Sequence, residues 1–201
     1  MTKEYEFTLK YKLPGQEYDA DKLAAELYEN GCDDALIGIG VAGKIALEFV
    51  REATSAEVAI LSAHQDVLNL LPEATLIEAM PDYVGLTDIA EIVAVSRQQV
   101  RKLYENNAGF PAPLHEGKSG LWHLAETLNW IEQNKSYSFD PLVMEVAKIN
   151  LELNLASRAK PSSTKLISNY TSNSQVIKEY LVTTSATFSA KQALSSTAEV
   201  A

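Results

Sequence analysis

The sequence predicts an α+β protein: an N-terminal module of order β-α-β-β-α-β, then a short two-helix segment with a hairpin, then a C-terminal helix. Three observations predict it. Apolar and polar residues alternate at 7–13 and again at 44–51, the period of a half-buried strand. Apolar residues recur at helical spacing at 23–28, 58–71 and 142–155. The punctuation Pro14-Gly15, Asn30-Gly31 and Pro72 separates these runs.

Phe7, Leu9, Tyr11 and Leu13 form the first strand, ended by Pro14-Gly15. Asp19 or Asp21 caps a helix that carries Leu23, Ala24, Leu27 and Tyr28 on one face, and Asn30-Gly31 stops it. Residues 35–39 are a short apolar strand, and residues 44–51 alternate again. Thr54 and Ser55 precede a helix with Val58, Ile60, Leu61, His64, Val67, Leu68 and Leu71, which Pro72 ends. His64 lies on its apolar face and reads as a core or boundary histidine. Residues 75–80 are the last strand. This order is the split βαβ of ferredoxin-like folds, and it assigns residues 1–82 to one domain.

The chain has 201 residues and is 46% hydrophobic, enough for one or two domains with real cores. No apolar run approaches the roughly 20 residues of a membrane helix. The start of the chain lacks the apolar segment of a signal peptide, and the single cysteine, Cys32, leaves no internal disulfide. A cytoplasmic protein without membrane contact is expected. The net charge of −10 is unevenly placed: residues 1–82 carry 6 basic and 16 acidic side chains, residues 83–140 carry 5 and 7, and residues 141–201 carry 6 and 4. The acidity therefore belongs to the first domain, which argues against non-specific coating of nucleic acid but leaves a local contact open.

Two glycine patterns in that domain imitate phosphate-binding motifs. Residues 38–43 spell G-x-G-x-x-G, and residues 38–44 spell most of a P-loop. Both chemistries need a helix N-terminus aimed at phosphate directly after the glycines. An alternating strand follows Gly43 instead, and Ile45 stands where a magnesium-binding hydroxyl belongs. A hairpin turn is expected there. Cys32, Asp33 and Asp34 are adjacent without a nearby histidine, so they read as an acidic turn with a small, partly buried thiol rather than a metal site.

The segment that carries a functional chemistry is residues 86–103, LTDIAEIVAVSRQQVRKL. Ile89, Ala90 and Val93 face inward from a first short helix, Val95 packs the turn, and Val100 and Leu103 lie inside a second helix. Ala94 takes the turn position that favours a left-handed backbone. Thr87 serves the first turn of the first helix, and Ser96 caps the second. Arg97, Gln98, Gln99, Arg101 and Lys102 are left outward or at the rim. Glutamine pairs with adenine and arginine with guanine in the major groove, while lysine suits phosphates.

The downstream run FPAPLHEGKSGLWHLAETLNWI adds two extended segments around a Gly-Lys-Ser-Gly turn and an amphipathic helix. Together with 86–103 it resembles the winged helix-turn-helix of excisionase, AlpA and MerR-like bacterial regulators, over about residues 83–133. The resemblance implies double-stranded DNA binding, with residues 97–104 in the major groove and Lys118 of the wing at the adjacent backbone or minor groove. The MerR dimerisation helix and effector cysteines are absent, so metal sensing does not carry over. Trp122 and Trp130 read as core.

Asp140-Pro141 opens a C-terminal helix over about 140–160, with Leu142, Val143, Val146, Ile149, Leu153 and Leu155 as its apolar stripe. That stripe either returns onto the chain's own core or pairs with a copy. A single helix-turn-helix needs a dimer for useful specificity, and this helix is the expected means. Residues 161–201, rich in Ser, Thr and Ala, are expected to be flexible or ordered by a partner.

The expected function is sequence-specific double-stranded DNA binding by a bacterial or prophage transcriptional regulator. Its division is residues 1–82, 83–135, 140–160 and 161–201, with Ser96, Arg97, Gln98, Gln99, Arg101, Lys102 and Lys118 at the DNA. The alternative is an antitoxin-type or adaptor protein whose acidic domain or tail binds a protein. No nucleophile–base pair or metal cluster has suitable spacing, so no catalytic, metal or cofactor residues are assigned and an enzyme is not expected.

Overall fold

Strand β1 (Lys3–Lys12) is the spine of a four-stranded antiparallel sheet in the order β2-β3-β1-β4, with β2 (Ala35–Val41), β3 (Lys44–Ala53) and β4 (Thr75–Met80). The computed structural model describes residues 1–15, 18–117 and 119–159, so Lys118 and the expected tail at 161–201 lie outside the described residues. Strand alternation sets the inner face: Tyr5, Phe7, Leu9 and Tyr11 from β1 and Ile45, Leu47 and Phe49 from β3 are buried. Leu23 and Leu27 of α1 (Ala20–Glu29) and Ala59, Ile60, Ala63 and Val67 of α2 (Ala56–Leu70) join the same core. On the opposite parity Glu4, Glu6, Glu48 and Glu52 are exposed.

The caps explain where the helices begin. Asp19 Oδ1 accepts from Lys22 N at 3.1 Å, and Ser55 Oγ accepts from Val58 N at 3.2 Å. Tyr28, expected on the apolar face of α1, is exposed. It follows Leu27 by one residue and is turned about 100° from it. His64 sits half-buried, its Nδ1 2.8 Å from the Tyr11 hydroxyl. Val41 pairs with Lys44, and Gly43 between them takes φ 71°, so the glycine run lies in a hairpin and no helix follows it.

Arg51 occupies an inward position of β3 and is nearly buried. Its Nε and Nη2 donate to the two oxygens of Asp34 at 2.7 and 2.9 Å, and its Nη1 donates to Asp66 at 2.8 Å and to Ser62 at 3.1 Å. Nη2 also donates to Gly31 O at 2.6 Å. The acidic turn at 33–34 is thus tied to the sheet by a guanidinium. Cys32 beside it is wholly buried, and burial pushes its thiol up to about 11.

A second core follows, formed from β5 (Tyr83–Val84), α3 (Leu86–Ile92), α4 (Arg97–Asn106), β6 (Trp122–His123) and α5 (Leu124–Asn134). β5 and β6 pair antiparallel, Tyr83 opposite His123 and Val84 opposite Trp122. Helix α6 (Pro141–Arg158) opens where Leu142 N donates to Asp140 Oδ1 at 2.8 Å. Its stripe returns onto its own chain. Leu142, Val146, Ile149 and Leu153 join the sheet core, while Val143, Met144, Ala147 and Leu151 join the second core. Leu155, expected in the stripe, is exposed.

Polar groups finish this junction. Asp82 is fully buried and accepts from His123 Nδ1 and from Asn154 Nδ2, both at 2.7 Å. Its carbonyl accepts from Leu124 N at 2.8 Å. Asn154 also brackets Ala79, accepting from its N–H at 2.7 Å and donating to its carbonyl at 2.8 Å. One carboxylate and one amide therefore join the edge of the sheet, α6 and the start of α5.

Candidate nucleic-acid interface

The geometry of α3 and α4 follows from a single turn. α3 begins at Gly85, whose N–H donates to Asp88 Oδ2 at 2.7 Å, so the expected role of Thr87 at this terminus falls to Gly85 and Asp88. At its other end Ala94 N donates to Glu91 O at 3.2 Å and Val95 N to Ala90 O at 2.9 Å, with Ala94 at φ 53°. These are the two bonds and the left-handed residue of a Schellman motif. A left-handed alanine costs about 1–2 kcal/mol, partly offset in glycine by its greater freedom when unfolded. Ala94→Gly is expected to stabilise the protein by about 0.5–1 kcal/mol in urea unfolding; a loss of stability would contradict the strain.

Ser96 caps α4 reciprocally: its Oγ accepts from Gln99 N at 3.3 Å, and Gln99 Oε1 accepts from Ser96 N at 2.8 Å and from the Ser96 hydroxyl at 2.9 Å. Val100 and Leu103 are buried, as are Ile89, Ala90 and Val93 opposite them. Ser96, Arg97, Gln98, Gln99, Arg101 and Lys102 are all exposed. The Gln99 carbonyl oxygen is engaged in the cap, which leaves its NH₂ as the outward group. Arg101 Nε donates to Glu105 Oε1 at 2.7 Å, and that carboxylate holds the guanidinium above its ordinary pKa.

The segment after α4 is anchored along one side. Asn107 Nδ2 donates to Leu103 O at 2.8 Å, and Trp122 Nε1 donates to Pro111 O at 3.0 Å. Leu114 N donates to Leu121 O at 2.7 Å and Leu121 N to His115 O at 3.1 Å, closing a hairpin. A Cβ on Gly120 would lie 2.5 Å from the Trp122 ring, so only glycine fits there. Tyr104 packs edge-on against Trp122 and Phe110 and donates to Glu116 Oε1 at 3.0 Å; that hydrogen bond raises its pKa. Arg97, Arg101 and Tyr104 share one side of α4 at i, i+4 and i+7, so the hairpin is fastened beside the arginines.

α4 thus exposes three cations, Arg97, Arg101 and Lys102, of which Arg101 is paired with Glu105, while Glu116 is held by Tyr104. The Arg101–Glu105 pairing was legible as an i, i+4 spacing, whereas nothing local in the sequence marks Tyr104 and Glu116 as partners. Trp122 is buried and Trp130 is half-buried against Phe110, with ring centroids 4.9 Å apart. Among the described residues, no group of three or more His, Cys, Asp or Glu is placed to hold a metal ion, and no helix is long and apolar enough to cross a membrane. No protein-family model matches this chain, and neither a curated protein nor a solved structure matches it.

Proposed function

We propose that this protein binds double-stranded DNA with sequence preference and acts as a transcriptional regulator of the bacterial or prophage type. In this reading a ferredoxin-like domain precedes a winged helix-turn-helix. The observation that carries it is the pairing of a tight Schellman turn with a reciprocally capped α4. Together they hold an all-polar, locally basic helix face rigid and outward. A helix presented in this way suits the major groove, with its first turn toward base edges. Arg97 and Gln98 are assigned to bases; Arg101, Lys102 and Lys118 to phosphates; Ser96 and the Gln99 amide to the rim.

The test is fluorescence polarisation on duplexes selected from a random pool and on the promoter of the protein's own gene, at two salt concentrations. Binding is expected to weaken with salt. Arg97→Ala is expected to cost about 1–3 kcal/mol on the preferred site and to relax the preference. Lys102→Ala is expected to weaken all sequences alike and lower the salt slope by about 1. Absence of binding to any duplex, or binding indifferent to salt, rejects the reading. One observation favours an added protein-binding role: Glu4, Glu6, Glu48 and Glu52 surround exposed Val50 and Leu36 on the open sheet face, a surface suited to a basic partner.

A further inference from the structure

Two glycines in β2 are unexplained by a single chain. Gly38 and Gly40 do not take a left-handed backbone. A Cβ would meet only Ala46 O at 3.8 Å at Gly38 and open space at Gly40. Glycine weakens a strand by roughly 0.5–1 kcal/mol relative to alanine. Inside a strand it often marks a bulge or the close approach of another backbone. The register with β3 does shift between Gly38 and Val41, but a bulge outside the left-handed region does not require glycine.

The two edges of the sheet also differ. The β4 edge is closed at Ala79 by the Asn154 amide. Among the described residues β2, at the other edge, is hydrogen-bonded to β3 alone. Residues 35–43, ALIGIGVAG, hold no charge and no proline, the residues that usually blunt an open edge. Leu36 is 73% exposed and Val41 61%.

We propose that β2 is a homodimerisation edge, at which two copies pair β2 with β2 antiparallel about a two-fold axis near Gly38 and form one continuous eight-stranded sheet. Charge complementarity selects a second copy as the occupant. The uncharged stretch begins after Asp33-Asp34 and ends at Lys44, and Asp33 and Lys44 are both exposed. Antiparallel self-pairing sets each Lys44 beside the partner's Asp33 end, whereas parallel pairing sets like against like. With the axis at Gly38, Leu36 of each copy faces Gly40 of the other, where no side chain competes for the space. The proposal is independent of DNA binding.

Sedimentation equilibrium of the full chain tests it. Wild type is expected to form dimers that dissociate on dilution. Gly40→Lys is expected to weaken association by about tenfold or more with an unchanged circular dichroism spectrum, since its Cβ has open space. Lys44→Glu is expected to weaken association as well, and Asp33→Lys combined with Lys44→Asp to restore it. Gly38→Cys supplies a check that needs no disruption: strand neighbours are about 4.5–5.5 Å apart, within disulfide reach, so mild oxidation is expected to give a covalent dimer. A wild type that stays monomeric at every concentration overturns the proposal, even if it captures a foreign strand. So does a dimer indifferent to Gly40→Lys, or a Gly38→Cys variant that does not cross-link.

Discussion

Asp82→Ala is expected to lower unfolding free energy by about 3–5 kcal/mol, the largest single-residue effect outside the apolar cores. The carboxylate is fully buried and accepts from two buried donors, His123 Nδ1 and Asn154 Nδ2. Each donor left without a partner away from water costs about 1–3 kcal/mol. The loss reaches further than two bonds, because Asn154 also completes the β4 edge at Ala79. Freed from Asp82, that amide holds α6 less firmly against the sheet. Urea denaturation followed by circular dichroism measures the change. A loss below about 1 kcal/mol would mean that water replaces the carboxylate, and that the junction is wetter than its geometry indicates.

Arg51→Met is expected to cost about 2–4 kcal/mol. Removing one partner of a buried ion pair typically costs 3–5 kcal/mol, and the figure is reduced here because Asp34 and Asp66 keep about a quarter to a third of their side-chain surface exposed. What remains is two carboxylates that share a site without a cation, and a Gly31 carbonyl without its donor. The triple variant Arg51→Met, Asp34→Asn, Asp66→Asn is expected to recover much of the loss, since an uncharged replacement of a buried pair is often neutral. If the triple variant is no better than the single one, the cost comes from the lost packing of Arg51 over Phe49, whose ring centroid lies 5.0 Å from the guanidinium carbon.

The elements of residues 1–80 were legible because local patterns and tertiary burial agree. Tyr5 to Leu13 alternate in the sequence and alternate in burial, and Ser55 stands directly before an apolar period of 3.6. The left-handed turn at Ala94 was legible too, since two helices this short and this close leave few ways round. Where expectation failed, the controlling partner lay elsewhere in the chain. Tyr28 and Leu155 are apolar at plausible helical positions, but no neighbouring element among the described residues covers them. Gly85 displaces Thr87 at the head of α3 because Asp88, three residues on, turns back to the Gly85 N–H.

For the interface, residue type and period were enough to mark Arg97, Gln98, Arg101 and Lys102 as outward. They could not reveal that Glu116 would be brought to Tyr104 across 12 residues. The parity of Arg51 with Ile45, Leu47 and Phe49 did signal an inward charge that needs a partner, but not that Asp34 and Asp66 would supply it.

By itself, then, the sequence determined the α+β class, the order of the elements in residues 1–80, the helix starts at Ser96 and Asp140, and the outward polar face of α4. These depend on residues within about one or two turns of each other, where periodicity and capping act. Only the tertiary structure decided where α6 would lie, that Asp82, His123 and Asn154 would meet, and that Asn154 would cap the β4 edge at Ala79. Those outcomes depend on groups as much as 75 residues apart. Their pairing is selected by the cost of leaving a buried polar group unsatisfied, and that cost exists only once the chain has collapsed around it.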